Sequence, residues 1–156
     1  MPSSTRRSDS AGARGDSPRS DRRGILDTNT VILLRRLADP GALPQEPTIT
    51  SITLAELSVG PLVASDAGER AARQAHLQQA EADFEAIPFD SAAARAFGQV
   101  AADLRGAGRK TTARAYDALI AAIAIANDLP LHTVNPQDFM GIAGLRLVPV
   151  DHPDRT

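Results

Sequence analysis

A chain of 156 residues is long enough for one domain around one core and too short for two. With 42% hydrophobic and 23% charged residues it is not disordered throughout, and with no cysteine it excludes disulfides, thiolate zinc sites, iron–sulfur clusters and a cysteine nucleophile. The net charge of -2 divides unevenly: residues 1–23 carry six Arg against three Asp (+3), and residues 24–156 carry eleven Lys and Arg against sixteen Asp and Glu (-5), a poor footprint for gripping nucleic acid through phosphates alone.

Residues 1–23 also hold six Ser and two Pro without apolar periodicity, and read as a disordered Arg/Ser-rich tail, either a solvated extension or a basic arm for RNA. No run of about 18 apolar residues is present and the N-terminus lacks an apolar core, so neither a spanning helix nor a secretory signal is read, and a cytoplasmic protein is expected. Residues 24–150 alternate short apolar runs with helical segments, the pattern of an α/β layer fold built from βα units; residues 151–156 read as a C-terminal tail.

The first strand is Ile25-Leu26, followed by the cap residues Asp27-Thr28-Asn29 and a helix to about Ala38, which Asp39-Pro40-Gly41 stops. Thr48 to Ile52 is β-branched at almost every position and predicts the second strand. A helix opens at Thr53 and is interrupted near Gly60-Pro61; a long helix over about 66–85 follows. Ile87-Pro88-Phe89 is a short strand, and Asp90 or Ser91 caps a helix to about Arg105. Gly106 to Thr111 is a basic loop containing Arg109 and Lys110, the chain's only Lys. Thr112 is placed to cap a helix over about 113–127, whose buried stripe is Tyr116, Leu119, Ile120 and Ile123. Leu131 to Val134 is the fourth strand, Asn135-Pro136 a turn and Leu145 to Val150 the last strand. Low aromatic content, with one Tyr, four Phe and no Trp, argues against a base-stacking platform.

Four acids stand out. Asp27 ends the first strand, Glu56 opens the helix after the second, Asp117 lies in the most apolar helix and Asp138 follows the fourth strand. In a parallel α/β sheet these positions line one crevice. Each has an ordinary explanation: Asp27 as an N-cap, Glu56 as the capping-box partner of Thr53, Asp138 in an Asx-type turn. Asp117 is harder to dismiss, because it sits beside an apolar stripe on a shoulder of Ala113, Ala121 and Ala124, where an unpaired carboxylate is costly and a cation is expected. Two carboxylates repel by about 4 kcal/mol at 4 Å in an effective dielectric of 20, so a cluster of four requires positive charge within it. Oxygen donors without Cys or a His pair at ligand spacing point to Mg²⁺ or Mn²⁺, the ions that support phosphodiester hydrolysis and that invert the local field of an acidic domain.

The strings Ile25-Leu26-Asp27-Thr28-Asn29, Ile49 to Leu57, Asp117 to Ala122 and Thr133 to Phe139, in this order and spacing, resemble the PIN-domain ribonucleases, specifically the VapC toxins of bacterial type II toxin–antitoxin pairs. The resemblance implies a three-layer α/β/α sandwich on a short parallel sheet and a divalent-metal-dependent endoribonuclease acting on cellular RNA. It also implies a cognate VapB-type antitoxin and a homodimer, with no membrane. Asp27, Glu56 and Asp117 are then the expected metal ligands and catalytic acids, with Asp138 completing the set through water. Thr28, Thr133 and Asn135 match polar positions that orient carboxylates or water. Arg114 is a candidate for RNA phosphate or for a surface ion pair, and Arg109 and Lys110 are weaker RNA candidates. The resemblance puts the antitoxin grip in the region 60–85, and His132 reads as a packing or RNA-facing residue.

Other readings fit less well. A haloacid-dehalogenase-type phosphatase wants an acid two residues after Asp27, where Asn29 stands, and a response-regulator receiver wants a Lys after a later strand, whereas Lys110 precedes a helix. A non-catalytic RNA-binding or interaction module on a PIN-like fold is opposed by the presence of all four acids. Apolar faces around Leu33, Leu34 and Leu37 and near Phe97 are the expected surfaces of association.

Overall fold

The structure, a computed structural model, describes residues 22–111 and 114–155. β1 (Arg23–Leu26) leads into α1 (Thr28–Ile32), a 3-10 turn (Leu34–Arg36) and a second one (Pro40–Ala42). β2 (Glu46–Thr50), α2 (Ser51–Leu62), α3 (Ala67–Asp83), β3 (Ala86–Ile87), α4 (Ser91–Gly106) and α5 (Ala115–Ala126) follow. The chain closes with β4 (Leu131–Thr133), a 3-10 turn (Pro136–Phe139) and β5 (Leu147–Pro149). All strand pairs are parallel, in the order β3-β2-β1-β4-β5. The order reverses between β1 and β4, and in such sheets the crevice at the carboxyl ends of the strands beside that reversal is where ligands bind.

Successive residues of β1 face opposite ways, as the pleat requires. Ile25 joins Val100 and Leu104 of α4, Ile120 and Ile123 of α5, and Leu131 and Phe139 in one core. Leu26 joins Val31, Ile49, Leu57 and Ala80 in a second core under α1, α2 and α3. Two helical layers therefore enclose the sheet, the α/β/α sandwich expected from the sequence.

Several boundaries differ from the sequence reading. The helix after Asp27 ends at Ile32 and tightens into 3-10 geometry, which seats Leu34 against the second core. β2 closes at Thr50, and Thr50 rather than Thr53 caps α2, its hydroxyl accepting from the Thr53 amide at 3.2 Å. Pro61 does not interrupt that helix but lies in its last turn. There the freed carbonyls of Gly60 and Pro61 accept from Arg73 at 3.0 Å and Arg70 at 3.3 Å, so α3 caps the end of α2. The Thr112 cap and the Ala113 shoulder lie outside the described residues. α5 starts at Ala115 and ends at Ala126, and Asp128, with a left-handed φ of 52°, turns the chain towards β4. Leu34 packs into the second core and Phe97 against the first; the exposed apolar side chains are instead Ile32, Val59, Leu62, Val63 and Met140, beside Tyr116. Among the described residues no helix is long and apolar enough to cross a membrane.

Candidate active site

Asp27 leaves the end of β1 buried, with extended backbone that makes it the N-cap of α1. Its Oδ1 accepts from the Thr30 amide at 3.1 Å and from the Thr30 hydroxyl, and its Oδ2 accepts from Thr133 Oγ1 at 2.7 Å. Thr30 Oγ1 in turn accepts from the Val134 amide at 3.1 Å, and Thr133 Oγ1 from the Asn135 amide at 2.9 Å. The carboxylate is thus both a helix cap and a clamp joining β1 to β4. Burial pushes its pKa up even so, against the three donors that lower it.

Glu56 stands on the second turn of α2, and Thr28 Oγ1 donates to it at 2.5 Å while accepting from Thr53 Oγ1 at 3.0 Å. Burial raises its pKa too, with the Asp27 charge adding to the effect. The expected capping box is not formed, because Thr53 is not the cap; Glu56 is free to face the crevice. Asp117 lies on the first turn of α5, where burial first, then the charges of Asp138, Asp27 and Glu56, push its pKa up to about 7 against the lowering effect of Arg114. The cation expected beside it is Arg114, whose Nη1 lies 3.9 Å from Asp117 Oδ2 and 2.9 Å from Asp138 Oδ1. Asp138 belongs to the 3-10 turn after β4 and makes an ion pair there, not the Asx turn expected.

Asn29, Glu56, Arg114, Ala115, Tyr116, Asp117 and Asp138 line one open cleft of about 550 Å³ at the carboxyl edge of the sheet. A smaller apolar groove of about 180 Å³ runs between α1 and α3 past Val31, Ile32, His76, Ala80 and Phe84, and contains no acid. Of the weaker candidates, Asn135 accepts from Arg155 at 3.2 Å. Arg109 donates to the Met140 carbonyl at 2.8 Å and Lys110 is exposed; neither lines the cleft. His132 faces into the second layer against Gly24 and Pro44, away from the cleft. The sequence reading missed Thr30 and Thr53. Thr30 carried a signal, standing three residues after the Asp27 cap, where a hydroxyl reaches back to the capping carboxylate.

The donor set is all carboxylate oxygen, suited to a hard divalent cation, and the raised pKa values of Asp27, Glu56 and Asp117 favour positive charge among them. As the side chains stand, no three acids among the described residues close around one point. Asp138 is drawn to Arg114 and Glu56 to Thr28, so seating an ion requires those two to turn. Asp27 is already fixed. A Thr133→Val variant should therefore weaken manganese binding by about 10–100-fold, since it removes one of the donors that aim Asp27. Titration calorimetry reads this, and unchanged affinity would show that the clamp does not orient the acid.

The PIN domain family matches residues 25–143. The chain is similar to Ribonuclease VapC5 of Mycobacterium tuberculosis (strain ATCC 25618 / H37Rv), 36% identical over 129 residues, which cover 81% of this chain and 93% of that protein. It superposes with a TM-score of 0.70 on the crystal structure of VapBC-5, a member of the VapBC family of toxin–antitoxin systems from Mycobacterium tuberculosis, at 34% identity over 83% of this chain and 99% of the other. The structure of VapBC2 from Rickettsia felis, bound to a DNA fragment from their promoter, matches with a TM-score of 0.66 at 26% identity, covering 83% and 99%.

Proposed function

The chain belongs to the PIN-domain family, on its VapC branch, and on that basis we propose that it is a divalent-metal-dependent endoribonuclease, the toxin of a toxin–antitoxin pair. The observation that carries the reading is that Glu56, Asp117 and Asp138 line one cleft at the carboxyl edge of the sheet, with Asp117 pushed up to about 7 by burial and by the charges of Asp138, Asp27 and Glu56. Asp27, Glu56 and Asp117 would hold Mg²⁺ or Mn²⁺, directly or through water, with Asp138 in support. Such an ion, when bound, lowers the pKa of a coordinated water and neutralises phosphate charge.

The rest of the work falls to the chain. Thr30 and Thr133 hold the buried Asp27 carboxylate in one orientation at the end of β1. The Thr53–Thr28 relay orients Glu56. Asp117 takes a proton near neutral pH and releases it when positive charge enters the cleft. Arg114 leaves a guanidinium at the mouth, between Asp117 and Asp138, where an incoming phosphate passes.

VapB-type antitoxin and a second copy of the chain are the proposed partners. The apolar groove between α1 and α3 and the exposed Val59, Leu62 and Val63 at the end of α2 are the surfaces offered for them. The test is RNA cleavage by protein freed of any co-purifying antitoxin. Cleavage is expected with Mg²⁺ or Mn²⁺ and none with EDTA; equal cleavage in EDTA would overturn the metal-dependent reading. Because Asp117 must ionise to take the ion, cleavage at subsaturating Mg²⁺ should rise about tenfold per pH unit below pH 7 and level off above it. A flat profile from about pH 5.5 to 7 would remove Asp117 from the ligand set.

A further inference from the structure

Tyr116 is the chain's only tyrosine and is 51% exposed, on the first turn of α5, where the sequence pattern had placed it in the buried stripe. Phe139 is buried, and Phe84, Phe89 and Phe97 pack against the two cores, so among the described residues Tyr116 is the one aromatic ring left to solvent. A single exposed apolar residue is ordinary in itself. What distinguishes this one is its position: it lines the same cleft as Asn29, Glu56, Arg114, Asp117 and Asp138, with Ala115 the one other apolar side chain there. The opening is of a size that admits a nucleotide. An exposed ring next in sequence to Asp117 and two residues from the Arg114 guanidinium combines a stacking face, a phosphate partner and the acid cluster within one turn of helix.

We propose that Tyr116 is a specificity residue that stacks on an unpaired base beside the scissile phosphate. The inference rests on the ribonuclease reading. In a duplex both faces of each base are covered by its neighbours, whereas a splayed base in a loop offers its face to an aromatic side chain.

The test uses a short single-stranded oligoribonucleotide carrying one 2-aminopurine, stepped along the sequence, with calcium in place of magnesium and the strand's integrity checked on a gel. Wild type should quench the fluorescence at one position, and Tyr116→Phe should keep both the quench and the affinity. Tyr116→Ala should abolish the quench and weaken binding roughly tenfold. A duplex of the same sequence should bind wild type and Tyr116→Ala alike. Equal single-strand binding by wild type and Tyr116→Ala, with no quench at any position, overturns the proposal while leaving the ribonuclease reading in place. The same holds if Tyr116→Ala changes only self-association in light scattering, which would make the ring a protein contact. Failure of wild type to bind any RNA in the presence of divalent ions overturns the ribonuclease reading itself, and this inference with it.

Discussion

Asp117→Asn should cut RNA cleavage by about 10³-fold while making the ion-free protein more stable at pH 8 than wild type. The two effects have one cause. Asp117 binds its proton more tightly folded than unfolded, its pKa rising from the ordinary carboxylate range to about 7. Between about pH 4 and pH 7 the folded state therefore holds more protons, and stability is lost as pH rises through that window. Above it the ionised carboxylate sits in a partly desolvated cleft beside other acids. An amide has the same shape and no charge, so the substitution removes that penalty, about 1–2 kcal/mol once solvent screening of this partly exposed group is allowed for. Thermal melts without divalent ions should show the variant a few degrees above wild type at pH 8 and converging with it near pH 4. Magnesium should reverse the order, because only wild type gains from binding. A variant that cleaves like wild type, or one whose melting follows pH as wild type does, would remove Asp117 from the centre of the site.

Gly24→Val should destabilise the fold by roughly 3 kcal/mol, a large share of the stability of a small domain. Gly24 lies in β1, between β2 and β4. A Cβ built there stands 2.7 Å from both Cδ2 and Nε2 of His132 and 3.1 Å from Cβ of Pro44. The imidazole is 6% exposed, so it yields only by displacing packed neighbours. Neither ring nitrogen meets a partner at hydrogen-bond geometry, and burial pushes the His132 pKa down, with only the Ala42 backbone opposing it, so the ring packs as a neutral group. His132→Ala opens the space that the added isopropyl group needs. In a denaturant double-mutant cycle the pair should cost at least about 1 kcal/mol less than the sum of the two single changes. Strict additivity would mean that the ring does not press on the strand.

The sequence reading found the layers because strand and helix signals alternate cleanly from Ile25 onward, and it found the acids because each stands just after a strand or in the first turns of a helix. Boundaries failed where local chemistry offered two choices. Thr50 and Thr53 are both good caps, and only the parallel pairing of β2 with β3 as far as Ile87 decides that the strand ends at Thr50. Pro61 looked like a breaker because the two arginines that compensate for it come from the next helix. Tyr116 shares helical spacing with Ile120 and Ile123, so periodicity could not reveal that it is left exposed while those two are buried. The Arg114–Asp138 pair joins two segments 24 residues apart, a separation that no local pattern carries.

The bond from Thr133 to Asp27 spans 106 residues. During synthesis the first acid leaves the ribosome early, yet the strand that fixes it, set between β1 and β5, follows only after the helices have been made. Sheets closed by such distant partners order late, because loop-closure entropy must be overcome before the contact forms. A nascent chain stopped anywhere between Asp117 and Leu131 carries Asp27, Glu56 and Asp117 but has no β4 to hold them in register. The clamp on Asp27 is thus timed by chain topology: it closes only once β4 has been made.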